Sequence, residues 1–146
     1  MQSGPSEQEL APNRSMPPGI IIPELSYDDV PRAAAWLCTW FGFRERMRIG
    51  AHRSQLVYAG ASIVVVGPGR AGDSGSHALM VRVVDVDSHY ERVKDSGARI
   101  VSSPESFPFG ERQYSVEDPG GHRWTFTESV ADVDPAEWGG EVLNPD

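Results

Sequence analysis

Residues 116–127 read VEDPGGHRWTFT and place a short polar turn between two stretches in which apolar and polar side chains alternate. Alternation with a period of two is typical of strands, so an Asp-Pro-Gly-Gly turn between two such stretches predicts a β-hairpin. His122 follows the turn at once. The question is therefore whether this histidine binds a metal or only packs within a hairpin.

Working outward from the hairpin, the same order of elements occurs twice along the chain. Asp29-Val30 opens a helix with Pro31 in its first turn, and Asp85-Val86 opens a second helix at the corresponding place. The predicted strands are 20–26, 43–49, 54–59, 62–67, 77–84, 98–103, 112–117 and 122–128, and the helices are 30–41 and the segment that follows Asp85. This order predicts an α+β fold of two tandem βαβββ modules, because a single such unit cannot cover both faces of its sheet.

Composition divides the chain into a central domain with two flanking segments. Residues 1–18 contain four prolines and show no apolar periodicity, which predicts a disordered arm. The domain is expected over 19–128, with module 1 at about 19–67, module 2 at about 77–128, and an acidic tail over 129–146.

Charge and cysteine content exclude several classes of function. A formal net charge of −8 argues against nucleic-acid binding, which requires an excess of Lys and Arg on one face. A single cysteine, Cys38, permits no disulfide within the chain, which favours the reducing cytoplasm. The apolar runs are too short to cross a bilayer, so no membrane partner is predicted.

The stretch GERQYSVEDPGGHRWTF (110–126), together with the repeated βαβββ order, resembles the vicinal oxygen chelate superfamily, in its glyoxalase, bleomycin-resistance and dioxygenase branch. The resemblance covers about residues 20–128. It implies that the two modules form one curved mixed sheet around a cleft, with the helices on the outside. It also implies a small-molecule ligand and pairing of two chains into a homodimer.

Enzymes of this superfamily usually hold a divalent metal through three side chains of the cleft, commonly His or Gln, His, and Glu. Counting from Asp29, Asp85 and Asp118, the resemblance places these three positions at Ile22, Ala78 and Thr125. None of the three is a good metal ligand. We therefore expect no metal and no other cofactor.

The histidines do not restore the missing ligand set. His77 is one residue from the second ligand position, and a shift of one residue turns a strand side chain to the opposite face, so a structural role is expected. His122 shares its parity with two aromatic residues of the last strand and is expected in the hairpin near solvent. His52 and His89 are expected at the surface.

The pairing of the hairpin strands determines which residues line the predicted site. A four-residue DPGG loop puts Tyr114 opposite Thr125 on the cleft face, whereas another turn register replaces it with Gln113 and Ser115. The predicted ligand-binding residues are Ile22, Glu24, Ala78, Met80, Arg82, Tyr114 and Thr125. Glu24 and Arg82 occupy matching places in the two modules, as an ion pair or as a charged clamp on a ligand.

The predicted ligand-binding residues are compatible with two functions, and only the second of them involves a chemical reaction. The first is a metal-free protein that sequesters a small organic compound, as the bleomycin-resistance branch does. The second is a glyoxalase-like lyase or isomerase, or a dioxygenase. It would use unconventional ligands such as His77 and Glu24, or acid/base chemistry through Glu24, Arg82 or Tyr114.

Overall fold

The structure, a computed structural model, describes residues 11–69 and 77–142. Residues 1–10 of the predicted arm, 70–76 of the connector and 143–146 of the tail lie outside the described residues. The chain divides into two units, residues 1–73 and 74–146. Among the described residues no helix is both long enough and apolar enough to cross a membrane.

The first unit contains one helix and a four-stranded mixed sheet. Its elements are β1 (Glu24–Ser26), α1 (Val30–Phe41), β2 (Arg44–Ile49), β3 (Arg53–Tyr58) and β4 (Ala61–Val66). The strand order is β1-β4-β3-β2, in which β1 runs parallel to β4 and the other pairs are antiparallel. Strand β1 is shorter than the sequence predicted, because Pro23 has no N–H to donate to a ladder.

Helix α1 has the predicted boundaries, and its ends show why. Asp29 accepts a hydrogen bond from the backbone N–H of Arg32 (3.1 Å), and the helix ends at Gly42 in the left-handed conformation. Its buried side chains recur at helical spacing, which is the apolar stripe that packs on the sheet. They are Val30, Ala33, Ala34, Leu37 and Phe41.

Part of the predicted N-terminal arm is described and contacts this unit. The backbone carbonyl of Arg14 accepts a hydrogen bond from Arg46 (2.7 Å), and that of Ser15 accepts one from Gln55 (2.8 Å). Arg46 also donates to the side-chain oxygen of Gln55. Residues 14 and 15 are therefore bonded to side chains of β2 and β3.

The second unit repeats the first. Its elements are β5 (Ala78–Arg82), α2 (Val86–Val93), β6 (Arg99–Ser106), β7 (Glu111–Glu117) and β8 (Arg123–Ser129), followed by a short 3₁₀ helix at Pro135–Trp138. The strand order is β5-β8-β7-β6, again with the first and last strands parallel. Asp85 caps α2 by accepting from the backbone N–H of Ser88 (3.1 Å). The predicted α+β class with two tandem βαβββ modules is confirmed.

Candidate functional site

The Asp118 carboxylate organises the turn between β7 and β8. One oxygen accepts hydrogen bonds from the backbone N–H groups of Gly120 (2.9 Å) and His122 (3.0 Å), and the other accepts from the indole N–H of Trp124 (2.9 Å). Asp118 and Trp124 are both buried. Asp118, which opens the turn, therefore also holds Trp124, the largest buried side chain of the second unit.

His122 is buried, with only 1% of its surface exposed, so the prediction that it lies near solvent was wrong. Its Nδ1 lies 3.2 Å from Nε2 of His77, a hydrogen bond in which one imidazole donates and the other accepts. The two rings pack at a centroid distance of 5.1 Å. The contact with His77 and the bond from its own backbone N–H to Asp118 hold His122 in place.

The predicted register of the hairpin was wrong by one residue. Asp118 donates its backbone N–H to the carbonyl of His122 (2.9 Å), so the loop has three residues instead of four. Ser115 consequently pairs with Thr125, and Tyr114 pairs with Phe126. Tyr114 therefore lies on the α2 side of the sheet, with 0% of its surface exposed, and not on the face predicted for it.

Beneath α2, Tyr114 and His89 form a buried polar pair. The Tyr114 hydroxyl lies 2.6 Å from Nδ1 of His89, whose ring stacks near Phe126 at 4.0 Å between centroids. Burial, with a smaller effect from Arg92, lowers the pKa of His89 to about 4, and burial raises the pKa of Tyr114. The prediction that His89 lies at the surface was wrong, because its ring fills the interface between helix and sheet.

The opposite side of this sheet carries mostly polar side chains, and we call it the polar face. Its members share one parity along their strands and lie side by side across β5, β8 and β7. They are Met80, Arg82, Gln113, Ser115, Thr125 and Thr127. All are at least partly exposed except Thr127, which is buried. The parity predicted for β5 agrees with the observed exposure, since Ala78, Met80 and Arg82 are exposed and Met80 is 65% exposed.

Hydrogen bonds connect four members of the polar face in two pairs. The Ser115 and Thr125 hydroxyls lie 2.8 Å apart, and Gln113 donates to the Thr127 hydroxyl (3.2 Å). These contacts hold the hydroxyl and amide groups in fixed positions. Gln113 and Ser115 were missed as primary candidates only because the assumed loop was one residue too long.

Two charged groups lie at one end of the polar face. Thr127 donates to the Glu111 carboxylate (2.7 Å), and Arg82 donates to the Ser129 hydroxyl (3.0 Å). Hydrogen bonds from Ser129 and Thr127 lower the pKa of Glu111, and the positive charge of Arg82 adds to this effect. This end of the face therefore presents an ionised carboxylate and a guanidinium.

In the first unit, the predicted residues Ile22 and Glu24 fall just before and within β1. Glu24 forms an ion pair with Arg53 of β3 (3.2 Å). Ile22 is partly exposed and lies outside the strand. Glu24 and Arg82 thus each have a polar partner within their own unit.

Among the described residues, one group of acidic side chains is close enough together to hold a cation. It consists of Asp85, Asp87 and Glu128. Each already has a partner: Asp85 caps α2, Asp87 pairs with Arg112 (3.0 Å), and Glu128 accepts from the backbone N–H of Val86 (2.9 Å). These bonds explain why the three acidic side chains lie together: they stabilise the N-terminus of α2.

The repeated βαβββ units and the hairpin around Asp118 match a known family model over residues 19–126, that of the Glyoxalase/Bleomycin resistance protein/Dioxygenase superfamily. The chain belongs to this superfamily. The resemblance predicted from residues 110–126 is confirmed, and the fold is that of the superfamily's tandem modules.

Solved structures similar to this chain include one at more than 30% identity. TioX from Micromonospora sp. ML1 is 34% identical, with a TM-score of 0.67, and the match covers 77% of this chain and 99% of TioX. A glyoxalase-related enzyme from Fulvimarina pelagi is 22% identical, with a TM-score of 0.64, over 75% of this chain and 87% of that enzyme, a likeness of fold alone.

A match to a mycobacterial protein is local. An uncharacterized protein of Mycobacterium tuberculosis is 36% identical over 55 residues, which is 38% of this chain. The match spans only about a third of the length of the curated relatives.

Proposed function

We propose that this protein is a metal-free small-molecule-binding member of the superfamily that holds a small organic compound against the polar face. The observation that carries the proposal is the identity of the residues at the three positions where the resemblance expects metal ligands, Ile22, Ala78 and Thr125. The superfamily implies a divalent metal there, so the fit of these side chains to a cation is the first test.

The three side chains do not fit a metal. Isoleucine and alanine carry no donor atom, and divalent metals in proteins take imidazole, thiolate or carboxylate ligands. The Thr125 hydroxyl is a weak ligand and is already hydrogen-bonded to Ser115. We therefore derive no catalytic step through a metal.

The polar face has the composition of a binding surface for an organic molecule. Met80 offers an exposed, flexible apolar side chain, and the neighbouring hydroxyl, amide and guanidinium groups offer hydrogen bonds at fixed positions. Small-molecule sites combine apolar contact with a few such polar groups. The expected ligand has a hydrophobic part beside Met80 and acceptor or anionic atoms near Arg82.

The enzymatic alternative has less support from the geometry. Tyr114, one of its proposed acid/base groups, is buried under α2 with its hydroxyl on His89. His77, its proposed unconventional ligand, has Nε2 directed at His122. Burial also raises the pKa of Tyr114, which makes it a poorer general acid near neutral pH.

Metal content gives the first experiment. The protein purified without a chelator is analysed for Zn, Ni, Mn and Fe, beside the His77→Ala variant. We expect far less than one equivalent of any metal in either protein. One equivalent that disappears in the variant would disprove the metal-free proposal.

Ligand binding gives the second experiment. A thermal-shift screen over chemically diverse compounds should yield a ligand that stabilises the fold by about 3 kcal/mol at a hundred times its Kd. Met80→Glu should abolish that shift, whereas Val84→Glu, which puts the same charge at another exposed apolar position, should leave it intact. Equal shifts in both variants would place binding away from the polar face.

A further inference from the structure

Three aromatic rings lie together on the surface of the second unit, and we call them the aromatic patch: Phe107, Phe109 and Trp138. Phe107 and Phe109 belong to the turn between β6 and β7, and their rings stack at 5.4 Å between centroids with 9° between planes. Trp138 contacts Phe109 at 5.3 Å, tilted by 49°. The polar face and its proposed ligand involve none of these residues.

The backbone holds the segment that carries Trp138 against this turn. The carbonyl of Gly110 accepts hydrogen bonds from the N–H groups of Val130 (2.8 Å) and Ala131 (3.2 Å). Asp134 caps the short 3₁₀ helix by accepting from the N–H of Ala136 (3.1 Å), and Gly140 donates to the Pro135 carbonyl (2.7 Å). The bonds to Gly110 hold residues 130 and 131 at the turn, and the bonds within the 3₁₀ helix fix the backbone around Trp138, whose ring contacts Phe109.

Despite this placement, the indole is half exposed. Trp138 retains 50% of its accessible surface, and the two phenylalanines are only partly buried. A packing role would bury a tryptophan more fully, since each aromatic side chain removes a large apolar area from water when covered. Clustered exposed aromatic rings instead mark a surface that contacts another molecule.

The segment that carries Trp138 is acidic, and its charge indicates the kind of molecule. Residues 130–142 contain four carboxylates and no Lys, Arg or His. They are Asp132, Asp134, Glu137 and Glu141. Ring faces attract cations through their quadrupole, and nearby carboxylates raise the local cation concentration. A planar compound gains stacking as well, so planarity and positive charge both favour binding here.

We propose that the aromatic patch is a second binding site, whose ligands are planar aromatic cations. Stacking on the exposed indole supplies most of the affinity, and the carboxylates of the segment that carries it select positive over negative charge. The site belongs to the second unit alone and does not depend on the function proposed for the polar face.

Proflavine, a planar aromatic cation, tests the proposal by fluorescence titration of the full chain in low salt, with anthracene-9-carboxylate as a planar anion. We expect proflavine to bind and the anion to bind at least about tenfold more weakly, since the same rings then lack charge complementarity. Trp138→Ala should weaken proflavine binding by about tenfold or more, and Trp138→Phe by much less, because aromatic stacking contributes on that scale.

Two further variants keep the test independent of folding and of the polar face. Glu137→Lys with Glu141→Lys removes the charge selection without altering the rings and should bring the two dyes to similar affinity. Met80→Glu should leave proflavine binding unchanged, even where it abolishes ligand binding at the polar face. Equal binding of both dyes to the native protein, or proflavine binding unaffected by Trp138→Ala, would overturn the proposal.

Discussion

Replacement of Asp118 by alanine should strongly destabilise the protein. The carboxylate accepts three hydrogen bonds, and two of the donors, the His122 backbone N–H and the Trp124 indole N–H, belong to buried residues. A buried donor that loses its acceptor costs about 1–3 kcal/mol, so two such donors and a turn bond to Gly120 of about 1 kcal/mol give about 3–7 kcal/mol.

A graded series separates these contributions. Asp118→Asn keeps one oxygen for the backbone donors but places an amide N–H₂ against the indole N–H, so we expect a smaller loss of about 1–2 kcal/mol. Trp124→Phe removes the indole donor. The double variant should therefore show a coupling energy of about 1 kcal/mol or more between the two positions.

Guanidinium unfolding, followed by far-ultraviolet circular dichroism, measures these differences. Asp28→Ala, at an exposed aspartate, is the matched control and should stay within about 0.5 kcal/mol of the native protein. If Asp118→Ala behaved like this control, or if Asp118→Asn and Trp124→Phe were additive, the assignment of the carboxylate as the organiser of the turn would be refuted.

Three further predictions concern the second unit. Gly110→Ala should destabilise by at least about 2 kcal/mol, because Gly110 has a φ of 88° and a Cβ there would overlap the Ala131 carbonyl oxygen; Gly60→Ala, also at positive φ but with open space around it, should lose only about 1 kcal/mol in the same unfolding assay. His89 has a folded-state pKa of about 4, below its unfolded value, so the unfolded chain binds more protons at this residue, and its contribution to stability should fall by about 3 kcal/mol as the pH drops from 7 to 4; urea midpoints should show a flatter dependence in His89→Gln, by that amount. Tyr114→Phe removes the hydroxyl bonded to His89 and should cost about 1 kcal/mol, whereas Tyr58→Phe, at a partly exposed residue, should be close to neutral by thermal melting.

The periodic elements could be predicted from the sequence because their signals are local. Helix α1 begins after the Asp29 cap with Pro31 in its first turn and ends at Gly42, as predicted, and α2 likewise follows Asp85. Strand parity in β5 followed from alternation alone, which placed Ala78, Met80 and Arg82 on one face. These features depend on residues within one turn or one strand.

The site was harder to predict because it depends on one pairing between strands. The sequence does not show that Asp118 joins the ladder with His122, and a three-residue loop in place of four moves every side chain of β7 to the other face. Tyr114 therefore does not lie on the polar face, whereas Gln113 and Ser115 do. The burial of His89 and His122 also arose from partners distant in sequence, Tyr114 and His77.

The parallel pairing of the first and last strands sets the order in which each unit assembles. Glu24 pairs with Val64, about forty residues later, so β1 stays unpaired until the rest of its unit has been made. Closing so long a segment costs chain entropy before the hydrogen bonds of the pairing can compensate for it. This cost slows the pairing of β1 with β4. During synthesis, the first unit can complete its sheet once residue 66 has left the ribosome, while β8 of the second unit remains to be translated.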